Sequence, residues 1–359
     1  MAQTNLEQTE KFDSITHFLE TGRFNYRIFD MGRKIRRIPS DVFEGIENQK
    51  QLYPAPFQKK ACIALLFWEN DKQNEAVIWF LQFPIDELGF LKQEARDAFL
   101  IDLLEQTGKN IQAKQQGTNA LDELKESPFA FKPNPDRLAM FHALATKELD
   151  QSPSQYYQHA RDYLSGSTGF DQWQFLGLQG IADVVARLDE DDNEELLAKA
   201  INFIPDAPLV SFCNALENSA PQKVLTQALS KRLKVELEQK TANNINNQLV
   251  AILVRALSAA EPVNMRQVLL QLVLASPVGK DVEVMAAISG RAWVDLHFQP
   301  LLVAYIANLA EQTEMAFNAI LSDLMMIPEM RENILAVMKA PNQSERLAGK
   351  LDQFLQQFN

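Results

Sequence analysis

The hydrophobic pattern changes along the chain. Up to about residue 108, short apolar runs are typical of strands, and the clearest lie at 61–68 and 76–83. Both faces of the run at 61–68 are apolar, so we expect helices, including one at 93–105, to cover that strand on both sides. After about residue 136, apolar positions recur at helical spacing. The pattern predicts a small α+β module followed by an all-α domain.

The amino-terminal module is expected to alternate helices with pairs of strands. Its predicted elements are a helix at 11–22, strands at 25–30 and 34–38, a short helix ending at 46, strands at 61–68 and 76–83, and a helix at 93–105.

Helical patterns separated by prolines fill the rest of the chain. Loose self-similarity, with triplets such as Ala-Arg-Leu, Ala-Leu-Glu and Arg-Ala-Leu, favours an irregular HEAT-like α-solenoid over the alternative of a globular helical bundle. The predicted helices are 136–149, 154–164, 171–188, 194–203, 207–217, 222–239, 247–259, 265–275, 282–288, 294–310, 314–326, 329–338 and 344–357.

A polar stretch separates the two patterns. Residues 109–135 are rich in Gln, Lys, Asn and Gly and end in two prolines, which is typical of a linker. We therefore predict domains at 1–108 and 136–359, with Phe129 and Phe131 packing the linker onto one of them.

Charge narrows the range of partners. The net charge is −12: residues 1–110 carry 14 basic and 17 acidic side chains, a balance of −3, which leaves −9 for the remainder. Neither part has the basic excess that supports non-specific binding to nucleic acid. Binding to a membrane surface is disfavoured for the same reason. Another protein is the expected partner.

The expected location is the cytoplasm. Residues 1–10 are polar and lack the pattern of a secretory signal, and no apolar run approaches the roughly 18 residues of a membrane span. The two cysteines, Cys62 and Cys213, lie in apolar surroundings in different halves, so we expect buried thiols rather than a disulfide.

One basic segment stands out in the first module. Arg33, Lys34, Arg36 and Arg37 lie on a predicted hairpin. The favoured interpretation is a solvated hairpin edge whose charge prevents sheet pairing, and the alternative is contact with an anion or an RNA backbone.

Two polar sets in the helical half are candidate binding residues. Tyr156, Tyr157 and His159 lie in the densest polar-aromatic segment and are candidates for a pocket or a recognition surface. Gln179, Asp183 and Arg187 recur every four residues on the predicted helix 171–188. This second set indicates either a solvated face, which is favoured, or the partner-binding face of a solenoid. Glycines on the same helix predict the close approach of a neighbouring helix.

Motifs for chemistry are missing from the sequence. It contains no nucleophile elbow, no phosphate-binding glycine loop, no dinucleotide fingerprint and no paired His/Cys arrangement. His142 and His159 lack carboxylate partners at metal-ligand spacing, so neither a metal nor a cofactor is expected. We predict that the protein is not an enzyme, although residues brought together only by folding could still form an active site.

Four segments carry a resemblance to a known family. They are Y-R-I-F-D-M-G-R-K-I at 26–35, V-I-W-F-L-Q-F-P-I-D-E at 77–87, S-Q-Y-Y-Q-H-A-R-D-Y at 154–163, and G-F-D-Q-W-Q-F-L-G-L-Q-G-I-A-D-V-V-A-R-L at 169–188. With them, the chain resembles over nearly its whole length a bacterial family known only as a domain of unknown function. The resemblance implies a bacterial cytoplasmic protein and assigns no catalytic or binding residue.

Three functions follow from the sequence as hypotheses. The first is a non-enzymatic scaffold or adaptor that binds another protein. The second is an RNA- or ribosome-associated factor that uses the basic hairpin. The third is an enzyme with a site between the domains near Tyr156, Tyr157 and His159.

Overall fold

The computed structural model describes residues 12–69, 73–113, 127–238, 246–340 and 344–356. Contacts divide the chain into two compact units. The sheet unit comprises Met1–Gly32 and Arg37–Lys132, and the helical unit comprises Arg33–Arg36 and Pro133–Asn359. Of the predicted linker at 109–135, residues 114–126 lie outside the described part of the chain.

The sheet unit is built on four strands. They are β1 (Phe24–Asp30), β2 (Arg36–Ile38), β3 (Lys60–Glu69) and β4 (Val77–Pro84), in the order β2-β1-β3-β4. Strand β3 pairs antiparallel with both of its neighbours, so that Leu65 faces Ile28 of β1 and Trp79 of β4. The predicted strand pattern is confirmed, with limits shifted by a few residues at most.

Helices α1 (Ile15–Thr21), α2 (Ser40–Glu47) and α3 (Gln93–Ala113) complete this unit. The two-sided burial predicted for β3 is confirmed, because every residue from 63 to 68 is buried. Aromatic rings fill one part of the core: Trp79 lies 4.6 Å from Phe67 and 6.2 Å from Phe99 between ring centroids. Edge-to-face pairs of this kind add to the stabilisation from burial.

The end of the predicted linker packs on the sheet. The backbone of Phe129 accepts a hydrogen bond from Gln82 N at 2.7 Å, and Phe131 N donates to Phe80 O at 3.0 Å. The ring of Phe129 also stacks on Phe83 at 5.6 Å. The expectation that both phenylalanines dock is confirmed.

The helical unit contains the remaining helices. They are α4 (Pro135–Glu148), α5 (Tyr157–Leu164), α6 (Leu178–Ala186), α7 (Asn193–Ala200), α8 (Asp206–Leu216), α9 (Lys223–Glu238), α10 (Asn247–Ala256), α11 (Val263–Ala275), α12 (Val282–Arg291), α13 (Gln299–Leu309), α14 (Glu314–Met325), α15 (Pro328–Met338) and α16 (Glu345–Gln356).

Most helices in this unit pack on the helix two positions further along the chain. The even row runs from α4 through α6, α8, α10, α12 and α14 to α16, each in contact with the next. In the odd row, α5 packs on α7 and α7 on α9, and α11 packs on α13 and α13 on α15. Two rows of helices therefore run along the unit.

Two predicted helices are wrong as single elements. The helix predicted at 171–188 is a 3-10 turn, Phe170–Phe175, followed by α6, and Gly177 between them is extended with ψ 139°. Glycine is a poor helix former, by about 1 kcal/mol relative to alanine, so the chain leaves the helix there at low cost. The helix predicted at 294–310 is a 3-10 turn, Trp293–His297, followed by α13. Pro300 has no N–H with which to continue the hydrogen-bond ladder.

Candidate binding site in the helical unit

The basic segment Arg33–Arg36 belongs to the helical unit and lies across the carboxyl ends of even-row helices. Arg33 is fully buried. Its Nη1 donates to Ser289 O in α12 at 3.0 Å, and its Nη2 donates to Asp323 O in α14 at 3.0 Å. The same Nη2 forms an ion pair with Asp323 Oδ2 at 2.8 Å. One guanidinium thus bridges two helices.

The next two residues continue this arrangement towards α10 and α8. Lys34 Nζ donates to the carbonyl oxygen of Ser258, just after α10, at 3.1 Å. The backbone N–H of Ile35 donates to Asn218 Oδ1, just after α8, at 2.9 Å. The last carbonyls of a helix have no partner within it and lie at the negative end of the helix dipole, so cations stabilise them. The segment supplies such cations to α10, α12 and α14.

Trp293 provides an aromatic surface for the segment. The charged groups of Arg33, Lys34 and Arg36 lie 5.6, 5.7 and 5.1 Å from the centroid of its ring. A cation within about 6 Å of an indole face is attracted by the ring quadrupole. The indole is buried, so that attraction is less screened than it would be in water.

Three arginine side chains surround the buried carboxylate of Glu217 beside the segment. Glu217, at the end of α8, lies 2.7 Å from Arg255 Nε, 3.0 Å from Arg291 Nε and 3.3 Å from Arg137 Nη1. Burial alone would raise the pKa of Glu217, but the three guanidinium groups more than offset it, and the pKa is lowered. Glu217 is therefore a buried anion shared by α4, α10 and α12.

In contrast to Glu217, Lys34 has surroundings that disfavour its charged form. Burial, followed by repulsion from Arg36, Arg266 and Arg291, lowers its pKa from 10.5 to about 7. Glu217 offsets this only in part. The ammonium group is thus held where desolvation and neighbouring positive charge both disfavour it.

The predicted solvated hairpin is wrong for half of its residues. Arg33 and Lys34 are buried by partners in the helical unit, whereas Arg36 and Arg37 are exposed. Burial is tolerated because carbonyl oxygens, a carboxylate and an indole face surround the two cations. Whether any of the four binds a ligand remains a prediction.

The polar-aromatic set divides between surface and interior. Tyr156 and His159 are exposed, whereas Tyr157 is buried. The Tyr157 hydroxyl donates to Asp191 Oδ2 at 3.0 Å and accepts from Asn193 Nδ2 at 2.8 Å. Burial, together with Asp191, raises the pKa of Tyr157, although Asn193 opposes this. The segment therefore does not present its three side chains on one surface.

Asp183 and Arg187 of the predicted polar stripe lie in the interior, and Gln179 is half-buried. Asp183 is 1% exposed and Arg187 2%, and they form an ion pair of 3.5 Å. Gln179 Nε2 donates to the carbonyl oxygen of Ala139 in α4 at 3.3 Å. The expectation that this stripe faces solvent is wrong for Asp183 and Arg187, because α4 and α5 pack against α6. Thr146 of α4, together with Gln151 and Ser154 in the segment before α5, supplies the polar partners. The glycine prediction is confirmed at Gly180, where an added Cβ would lie 2.5 Å from the oxygen of Tyr156.

Glu217, Trp293 and Asp323 were not among the predicted site residues. The sequence did contain a signal for Glu217. The repeated triplets place Arg187, Glu217 and Arg255 at the ends of successive helices of the even row, and Arg291 is the last residue of α12. Nothing in the local sequence distinguished Trp293 or Asp323 from the residues around them.

The described part of the chain shows neither a metal centre nor a membrane-spanning helix. Among the described residues, no group of three or more His, Cys, Asp or Glu side chains has the arrangement of a metal centre. No helix in that part of the chain is both long enough and apolar enough to cross a membrane.

These features define a class of protein: a small antiparallel four-stranded sheet followed by a helical domain. A family model described as "Protein of unknown function (DUF3549)" matches residues 10–355. The chain belongs to this family, which confirms the resemblance to a family of unknown function. No curated protein and no solved structure was found to match the chain.

Proposed function

We propose that this protein is a non-enzymatic scaffold of the bacterial cytoplasm that binds another protein through its helical unit. The helical unit is, in this proposal, an irregular HEAT-like α-solenoid. Its support is the stacking of α4, α6, α8, α10, α12 and α14 in sequence, each in contact with the next. Such stacking gives an extended surface on which a partner can lie.

One observation favours peptide or protein binding over other functions. The even row already holds a segment of the chain, Arg33–Arg36, through side-chain and backbone hydrogen bonds to helix ends. A surface that accepts four consecutive residues of its own chain has the donors, acceptors and apolar area that recognition of a protein requires.

The RNA-binding alternative loses support from the same contacts. Two of the four cations proposed to touch phosphate, Arg33 and Lys34, are buried among protein groups. Only Arg36 and Arg37 are exposed, which is a small basic surface for a chain of net charge −12.

Affinity capture with the tagged full-length chain tests the scaffold proposal. We expect a partner protein in stoichiometric amount, and after its purification we expect reconstitution at a fixed ratio in isothermal titration calorimetry. An unrelated protein of similar negative charge serves as the control bait. Recovery of no stoichiometric partner, or of RNA whose binding weakens with salt, would contradict the proposal.

A further inference from the structure

A groove separates α9 from α11. Its volume is about 630 Å³, and it is lined on the α9 side by Lys231, Lys234, Val235 and Glu238, and on the α11 side by Met265 and Val268. The volume falls within the range of about 300 to 1,000 Å³ that is typical of ligand-binding clefts. The groove is therefore large enough to hold several side chains of a partner.

The groove lies where the odd row is interrupted. Helix α9 packs on α7 and α10, and α11 packs on α13, but no comparable packing joins α9 to α11 within the described residues. Each of the other odd-row helices from α5 to α15 packs closely on the next. A helix from another protein would thus fill a position that the row itself leaves open.

Both walls expose apolar side chains. Val235 is 47% exposed and Val268 is 54% exposed, and they line the same groove. Single exposed apolar side chains are common, whereas apolar side chains grouped in one groove are typical of a binding site. The occupant is therefore expected to have an apolar face.

The charged residues of the groove indicate which charges the partner carries beside its apolar face. Lys231 and Lys234 are exposed and form no ion pair with any described residue, in a protein that is acidic as a whole. Glu238 follows one turn later, at the end of α9. A partner with carboxylates beside its apolar residues would face the two lysines, and a basic residue at one end would face Glu238.

The length of the groove indicates a helix. The lining residues of α9 run from Gln227 to Glu238 at helical spacing. At about 1.5 Å per residue this stripe is about 17 Å long, or about three turns. An amphipathic helix laid in such a groove contacts it through positions i, i+4 and i+7.

We propose that the groove between α9 and α11 binds an amphipathic helix of a partner protein, with an apolar stripe flanked by acidic residues. The assignment rests on the proposed scaffold function and gives the class of partner. The contact combines burial of Val235 and Val268 with attraction to Lys231 and Lys234.

A synthetic fluorescent peptide tests the assignment with the full-length protein. The probe is an amphipathic helix with Leu at i, i+4 and i+7, Glu on both flanks and Lys at one end. Fluorescence anisotropy should show saturable binding that weakens as salt increases. A second peptide in which Lys replaces every Glu should bind at least about tenfold more weakly.

Two variants and a matched control locate the binding. Val235→Glu and the double variant Lys231→Glu/Lys234→Glu should each weaken binding of the acidic peptide about tenfold or more. Val303→Glu, on α13, is the control because Val303 is also 47% exposed and lies outside the groove. Circular dichroism confirms that each variant is folded before binding is measured.

Several results would overturn the groove assignment. One is an equal loss of binding in Val235→Glu and Val303→Glu, and another is equal binding of the acidic and basic peptides. A third is that the free protein forms a dimer that Val235→Glu abolishes, because the groove would then bind a second copy of the chain. If affinity capture recovers a partner that Val235→Glu still binds in full, the scaffold function stands and the groove assignment fails.

Discussion

Arg33 and Asp323 are 290 positions apart in sequence, yet Arg33 Nη2 lies 2.8 Å from Asp323 Oδ2. Both residues belong to the helical unit, although Arg33 lies in a segment between two strands. The ion pair is reinforced by hydrogen bonds from the same guanidinium to the carbonyl oxygens of Ser289 and Asp323. A four-residue segment from the first tenth of the chain is thereby part of the helical unit.

We expect Arg33→Ala to lower the free energy of unfolding by about 3 kcal/mol or more, because breaking a buried ion pair leaves its partner uncompensated. Urea denaturation followed by circular dichroism measures the change. Arg37→Ala, at an exposed position four residues away, is the control and should change stability by no more than about 0.5 kcal/mol. Similar effects of the two variants would show that the Arg33 contacts add nothing to stability.

Lys34 should make stability rise with pH above neutrality. Its pKa is about 7 in the folded protein and 10.5 ordinarily, so between these values the unfolded chain holds a proton that the folded chain lacks. The free energy of unfolding therefore increases as pH rises through this window, by up to about 1.4 kcal/mol per pH unit from this group.

Comparison with Lys34→Met isolates that contribution. Urea denaturation measures the free energy of unfolding of both proteins at pH 7 and at pH 9, which is about two pH units higher and still below the ordinary pKa of 10.5. The value for the wild type relative to that for Lys34→Met should increase between the two. The control is Lys199→Met, at an exposed position on α7, for which the corresponding difference should not change with pH. A constant difference for Lys34→Met would mean that Lys34 is not desolvated.

Glu217→Gln should destabilise the protein at pH 7 by about 3 kcal/mol, since it removes the anion shared by Arg137, Arg255 and Arg291. The folded pKa of Glu217 is below its ordinary value of 4.5, so its stabilisation is present above that pH and is lost as pH falls through the folded pKa.

The difference between Glu217→Gln and the wild type should therefore shrink in acid. Thermal denaturation at pH 7 and below pH 4.5 measures it. Glu195→Gln, at an exposed position on α7, provides the comparison and should have little effect at either pH. A destabilisation that grows on acidification would contradict the lowered pKa.

Two helix glycines should respond oppositely to alanine. A Cβ at Gly180 would lie 2.5 Å from the backbone oxygen of Tyr156, so Gly180→Ala should cost about 1 to 3 kcal/mol as the helices move apart. A Cβ at Gly290 meets nothing within 4 Å, so Gly290→Ala in α12 should stabilise by about 0.5 to 1 kcal/mol. Melting temperatures that shift in the same direction would refute the close approach at Gly180.

Local pattern predicted most elements because helix and strand periods depend on neighbouring residues. Strand β3 and helices such as α8 and α14 lie within one or two residues of their predicted limits. The 3-10 turn before α6 was missed because the helical spacing of apolar residues continues across the extended Gly177.

The candidate site was harder to predict. The sequence showed that Arg33, Lys34, Arg36 and Arg37 are close together and that Gln179, Asp183 and Arg187 share a helix face. It assigned both sets to the surface, since a charged residue is usually exposed. Burial of Arg33 and Arg187 depends on partners that are far away in sequence. Arg33 donates to the carbonyl oxygen of Ser289, and Arg187 donates to that of Gln151.

By itself, the sequence determined the order of strands and helices, the two-sided burial of β3 and the membership of a family, because these depend on local periodicity and residue order. Only the tertiary structure decided which charges are buried. The positions of Arg33 beside Asp323 and of Glu217 among three arginines depend on contacts between residues far apart in sequence. Burying a charge is favourable only when those distant partners supply its hydrogen bonds and its counter-charge.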